Sequence, residues 1–161
     1  MFIDSIIARS SLDALFNFYV FCVFLFFLWW FGKEVSIEHV PLLALSWILL
    51  WIFSIGFALI MMVIGYRSAE LGKFIMIFIR ILYFGSGIMY SLHILPPEAL
   101  SYVLWNPLPH IIEPIRHAIA PTYPMDHVSL AYFLKSLIFV LFIGLLLYRS
   151  NERSMMTSRS R

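Results

Sequence analysis

The sequence predicts an all-α integral membrane protein: four transmembrane helices, with a re-entrant helical pair between the third and the fourth. Three observations carry this expectation. Hydrophobic residues make up 62% of the chain and charged residues 12%, against about 45–50% and about 25% in soluble domains. Four apolar runs approach the roughly 20 residues that a helix needs to cross about 30 Å of hydrocarbon. Seven of the eight prolines crowd between Pro96 and Pro124, where a plain spanning helix is excluded because proline lacks the amide donor and breaks helix interiors. A chain of 161 residues cannot hide that much apolar surface within itself, so lipid is its solvent. The whole reads as a single transmembrane domain, 1–161.

Residues 1–13 form a cytoplasmic lead-in. They hold Asp4 and a single basic residue, Arg9, and no small-residue cleavage site follows the first apolar run, so a signal peptide is not expected. The first span runs from about Ala14 to Phe31, the second from about Leu42 to Ile64 and the third from about Phe74 to Leu92, which together fill 14–92. The last span, within 128–148, runs from about Leu130 to Tyr148, and a basic cytoplasmic tail, 149–161, follows. Glycines at 56, 85, 87 and 144 are compatible with membrane helices. If all four spans cross, Arg9, Arg67, Lys73, Arg149, Arg153, Arg159 and Arg161 share one side, and Lys33 and Arg116 the other. Basic loops stay in the cytoplasm, so both termini are expected inside.

Residues 93–124 are the most informative stretch. Tyr102-Val103-Leu104-Trp105 and Leu108, Ile111, Ile112, Ile115 and Ile119 are too apolar for a solvated loop. Asn106 followed by Pro107 is a helix-start signature, an N-cap and then proline at the first helical position. The simplest structure is a short helix, a break at Asn106-Pro107 and a second short helix to about Ala120. Irregular backbone at membrane depth is tolerated only where it packs in protein or lines a cavity, so this segment predicts one or the other. Glu113 and Arg116 stand three apart and can meet on one helix face, as a structural ion pair or as a gate at the outer mouth.

Other chemistry is sparse. The formal net charge of +2 does not point to nucleic acid. The single cysteine, Cys22, lies in an apolar run, which excludes a disulfide framework and a CxxC metal motif. His93, His110, His117 and His127 invite a metal reading, but Pro114 interrupts and no HExxH or second carboxylate completes a site; no metal is expected. No GxxxxGK[ST] phosphate cradle occurs.

The run Gly85-Ser86-Gly87, then Leu95-Pro96-Pro97, then Trp105-Asn106-Pro107-Leu108 with His110, Glu113 and Arg116, and finally Pro121-x-Tyr123, resembles one bacterial family. It is similar to the C-terminal half of the permease subunits of ABC transporters that export capsular polysaccharide or O-antigen. The motifs cover about Phe74 to Tyr148, and the earlier part matches in helix layout. Such permeases have six transmembrane helices after an amphipathic one, so this chain is expected to begin just before the third, as a truncated permease lacking the first two. The resemblance implies a homodimer in the bacterial inner membrane, moving a lipid-linked or capsular polysaccharide. A separate ATPase subunit supplies the energy, and no cofactor is implied.

It also assigns candidate roles. Arg67, Glu70 and Lys73 would form the loop that receives the ATPase's motion, or else an ordinary positive-inside loop. Arg80 would meet a phosphate of a lipid-linked donor, or snorkel to the headgroups. Tyr83, Tyr90 and Trp105 would stack on sugar faces along the pathway. Trp47 and Trp51 share that possibility, while Trp29 and Trp30 fit the interfacial aromatic belt better. Two rival classes stand beside the transporter: an inactive permease fragment, and a membrane-embedded enzyme using His110, Glu113 and His117.

Overall fold

The computed structural model describes residues 2–32, 39–67 and 69–158. All regular structure among them is helical: α1 (Phe2–Trp30), α2 (Val40–Arg67), α3 (Ala69–Phe84), a 3-10 turn (Leu92–Ile94), α4 (Pro97–Val103), α5 (Pro109–Ile119) and α6 (Leu130–Ser158). Three of these are long and apolar enough to cross a membrane, over Asp4–Trp30, Val40–Tyr66 and Leu130–Glu152. The side chains of Lys33, Arg67, Arg153, Arg159 and Arg161, which enter the charge balance, fall outside the described residues.

α1 is helical twelve residues before the expected span, because nothing between Phe2 and Ala14 breaks a helix. It stops at Gly32, whose φ of 70° supplies the left-handed turn that only glycine adopts freely. α2 carries Pro41 in its first turn, where the missing N–H has no intrahelical acceptor in any case. α6 runs ten residues past Tyr148.

The third expected span is corrected. Instead of Phe74–Leu92, the helix covers Ala69–Phe84 and has 16 residues, about 24 Å at 1.5 Å per residue, short of the hydrocarbon thickness. Its end is chemical. Gly85 and Gly87 flank the fully buried Ser86, and Gly87 takes a φ of 72°. The chain then turns rather than continuing as helix.

The proline-rich segment holds two short helices with a break between them, as expected, but the second starts two residues late. Asn106 does not cap α5, whose N-terminal flanking residue is Leu108 without a side-chain cap. Its Oδ1 instead accepts the Leu108 N–H at 3.0 Å in a local turn.

The core lies where α2, α5 and α6 meet. Phe53, Ile111, Phe133 and Leu137 are buried together, with Leu49, Leu50, Ile52, Leu108, Ile112 and Leu130 packed around them. Further along, α2 and α6 touch backbone to backbone. A Cβ on Gly144 would lie 2.7 Å from the Gly56 carbonyl oxygen, and one on Gly56 would lie 3.0 Å from Leu141 Cδ2. Small residues at such a crossing let van der Waals packing take the place of a hydrophobic drive that lipid does not supply. α1 meets α2 through Phe18 and Phe21 against Trp47, with none of its most apolar stretch buried.

Candidate functional site

α5 is two-faced and short, with Pro109 opening it and Pro114 inside it. Pro109, His110, Ile111, Glu113, Pro114 and Ala118 are all buried. Glu113 is only 2% exposed, and a buried carboxylate needs a partner and hydrogen bonds. Arg116 provides both. Its Nη1 donates to Glu113 Oε1 at 2.7 Å and to the Tyr90 carbonyl at 3.0 Å. Its Nη2 donates to the Ile88 carbonyl at 2.9 Å and to that of Gly87. The guanidinium also lies 5.9 Å from the Tyr123 ring centroid. One planar fork with five donors therefore joins α5 to the turn that follows α3. The pairing legible from the i, i+3 spacing is present, and the three carbonyls are what the spacing could not reveal.

The same turn finishes α3. The last carbonyls of a helix have no intrahelical donor, and here each has one from elsewhere. Gly85 N–H takes Ile81 at 2.9 Å. Asn106 Nδ2 takes Leu82 at 3.0 Å, Ser86 turns its hydroxyl onto Tyr83, and the Tyr90 hydroxyl reaches Phe84 at 3.0 Å. Asn106 thus serves the end of α3 rather than the start of α5. Its position beside a proline signalled a break, but nothing in the sequence said which backbone its amide would serve.

His110 is held from both sides. Its Nδ1 accepts the Ser129 N–H at 3.0 Å, so Nε2 is the nitrogen that donates to the Leu104 carbonyl, at 2.9 Å. The Tyr132 ring stacks obliquely 4.7 Å away and its hydroxyl donates to the Trp105 carbonyl at 2.9 Å. His117 bonds the Tyr123 carbonyl through Nδ1 at 2.7 Å and stacks on His39. His93 faces Tyr123 and His127 and bonds the Pro124 carbonyl. These are two separate imidazole pairs. Among the described residues no group of three His, Cys, Asp or Glu is placed to hold a metal.

The remaining candidates differ in exposure. Trp105 is 81% exposed. Tyr83 is partly exposed, with its hydroxyl toward the Met89 sulfur. Tyr90 is half-buried, and Arg80 is exposed on α3. Glu70 and Lys73 pair at 3.2 Å at the start of α3 with about three quarters of each side chain in the open, a geometry that contributes little to stability. The fold brings Tyr90, Glu113 and Arg116 together, but it does not gather Arg80, Tyr83 and Trp105 with them.

No protein-family model matches the chain. Two Escherichia coli proteins, each a polysialic acid transport protein KpsM, are 42% identical to it over 156 residues, which is 97% of this chain. The chain is a relative of bacterial polysaccharide-transport proteins. The kinship reaches well beyond the motif-bearing Phe74–Tyr148 stretch and takes in α1 and α2. The capsule polysaccharide export inner-membrane protein BexB of Haemophilus influenzae is 27% identical over 106 residues, 66% of this chain and 40% of its own. The chain spans 60% of the length of the two KpsM relatives.

Proposed function

We propose that the chain is the membrane permease component of an ATP-driven exporter of capsular or lipid-linked polysaccharide, seated in a bacterial inner membrane. The observation that carries this is the 42% identity to polysialic acid transport proteins along 97% of its length. BexB, an inner-membrane protein by name, supports the location. A separate nucleotide-binding subunit supplies the energy, and two permeases pair around the route.

α3, together with the turn that follows it, makes the third of four crossings. In support, α3 leaves the end of α2, while its own end bonds Asn106, close to α5, whose His117 stacks on His39 at the opposite end of α2. On that reading α4 and α5 sit toward the outer leaflet as the re-entrant pair. Arg80, Tyr83, Tyr90 and Trp105 line the polysaccharide's way, with Trp105 presenting most of its indole for stacking. Glu113 and Arg116 pin the pair, and Arg67, Glu70 and Lys73 face the ATPase. The enzyme alternative has less support, since both His110 nitrogens are bonded to backbone and Glu113 is buried against Arg116.

A mild-detergent pull-down from the native membrane through a C-terminal tag, with intact mass of the bait, tests this. An ATPase subunit should co-purify in stoichiometric amount, with the bait at 18.8 kDa or at a larger mass. Purification without any nucleotide-binding partner at either mass would overturn the export reading.

A further inference from the structure

His110 joins three stretches of chain through one imidazole. It is the second residue of α5 and only 5% exposed. Leu104, whose carbonyl it bonds at 2.9 Å, caps the end of α4. Ser129, whose N–H it bonds at 3.0 Å, immediately precedes α6. A backbone carbonyl only accepts and a backbone N–H only donates, so the two bonds together require a neutral ring with its hydrogen on Nε2. Ser129 in turn steadies the first turn of α6, where its carbonyl takes the Phe133 N–H at 3.2 Å. One further bond spans the same gap, from the Tyr132 hydroxyl to the Trp105 carbonyl at 2.9 Å.

A proton added to Nδ1 turns that acceptor into a donor, and two N–H groups then point at each other across 3.0 Å. Turning the ring over does not mend this, because an imidazolium donates from both nitrogens. The charged groups around it do not offset the loss. Glu113 is held by Arg116 at 2.7 Å. Glu98 on α4, Asp126 ahead of α6 and Lys135 on α6 are exposed, and α2 carries no charged residue before Arg67. Among the described residues no carboxylate forms an ion pair with the ring. Ser129 is itself exposed, so its N–H meets water once the ring lets go. A free imidazole takes up its proton near about pH 6.5. Below that, each pH unit favours a form holding one more proton by up to about tenfold. A fall to about pH 5 therefore exceeds the net contribution of a single hydrogen bond.

We propose that His110 is a proton-operated catch: the neutral ring fastens the α4–α5 break to the start of α6, and the protonated ring releases Ser129. The bond to Leu104 survives, since Nε2 donates in both states, so His110 stays with α4 and α5 while the start of α6 parts from them. The closed form excludes the second proton and the open form takes it. Closure is therefore favoured at neutral and higher pH and is lost as the pH falls. On the proposed orientation, with α4 and α5 toward the outer leaflet, the proton comes from outside the cytoplasm. The catch itself does not depend on what the protein moves.

The test is a spin-label distance measurement on the full chain in detergent, where both ends meet one buffer and orientation does not enter. Labels are placed at Tyr102→Cys on α4 and Phe139→Cys on α6, both exposed positions, with Cys22→Ser to remove the native thiol. Between about pH 8 and about pH 5 a second, longer separation should grow severalfold, and it should vanish when the pH is raised again. His110→Asn keeps an oxygen for the Ser129 N–H but takes up no proton, so its distances should match at the two pH values. Equal distances in the chain with His110 intact, an equal response in His110→Asn, or a change that does not reverse would each overturn the proposal. If His110→Asn does not fold, His39→Asn, His93→Asn, His117→Asn and His127→Asn are combined, which leaves His110 as the sole histidine. The response must survive there, and its loss overturns the proposal. The ATPase pull-down reads a different property, so export and catch stand or fall separately.

Discussion

Arg116 is the residue on which most of the local order converges. Removing it leaves Glu113 as an uncompensated charge at 2% exposure and releases three backbone carbonyls of the 87–90 turn. Arg116→Ala should therefore cost about 3 kcal/mol or more, the range for breaking one side of a buried pair, read as thermal unfolding in detergent. Arg116→Lys should recover only part, because a lysine carries the charge but not the planar fork that reaches four acceptors. If Lys restores full stability, charge alone does the work and the carbonyl contacts are incidental. The pair itself was legible in the sequence, since Glu113 and Arg116 lie three apart on a helix. The carbonyl partners were not, because they stand 26 to 29 residues away, and no local pattern encodes a contact at that separation.

At the level of the element, α3 shows where hydropathy misleads. The letters from Phe74 to Leu92 are mostly apolar despite Arg80, so a composition window extends the helix to Leu92. The backbone ends it at Phe84, because Gly87 adopts a positive φ and the carbonyls of the last turn find donors outside the helix. Those donors are separable by mutation. Asn106→Ala removes the bond to Leu82 and the local turn at Leu108 together, and should cost about 1–2 kcal/mol at a part-buried site. Hydrogen exchange should rise first in the amides of residues 82–90 and 108–112, with α6 unchanged. Protection that falls uniformly across the chain would show that Asn106 acts on global stability rather than on this cap. The break between α4 and α5 was legible from Asn106-Pro107. The choice of Pro109 as the first helical residue was not, since three prolines lie close together in Pro107–Pro114 and each tolerates that place.

Across the whole molecule, the all-helical class and membrane character follow from composition, but which helices touch does not. Gly56 and Gly144 are compatible with two ordinary spans in the sequence, and in the structure α2 and α6 approach backbone to backbone at them. Their separation in sequence hides this, and only the side-by-side packing of the two helices gives it meaning. Gly144→Leu places a side chain 2.7 Å from the Gly56 carbonyl oxygen at its first atom, so the helices must move apart. A loss of about 1–3 kcal/mol is expected for such overpacking, with Phe53 and Phe133 losing contact as the crossing opens. A cysteine pair placed along the α2–α6 seam should crosslink less efficiently in that variant. Equal crosslinking would mean that the crossing accommodates bulk and is not the packing anchor.

The carbonyl caps at the end of α3 have a mechanical meaning as well as a thermodynamic one. A helix of 16 residues is a strut with little axial give. Its far end is fastened by Asn106, and the turn beyond it by Arg116, to the piece of chain that holds α5. On the proposed coupling role of Glu70 and Lys73, a push along the strut would reach α5 through these bonds. The buried Glu113 travels with it, because the same guanidinium grips both.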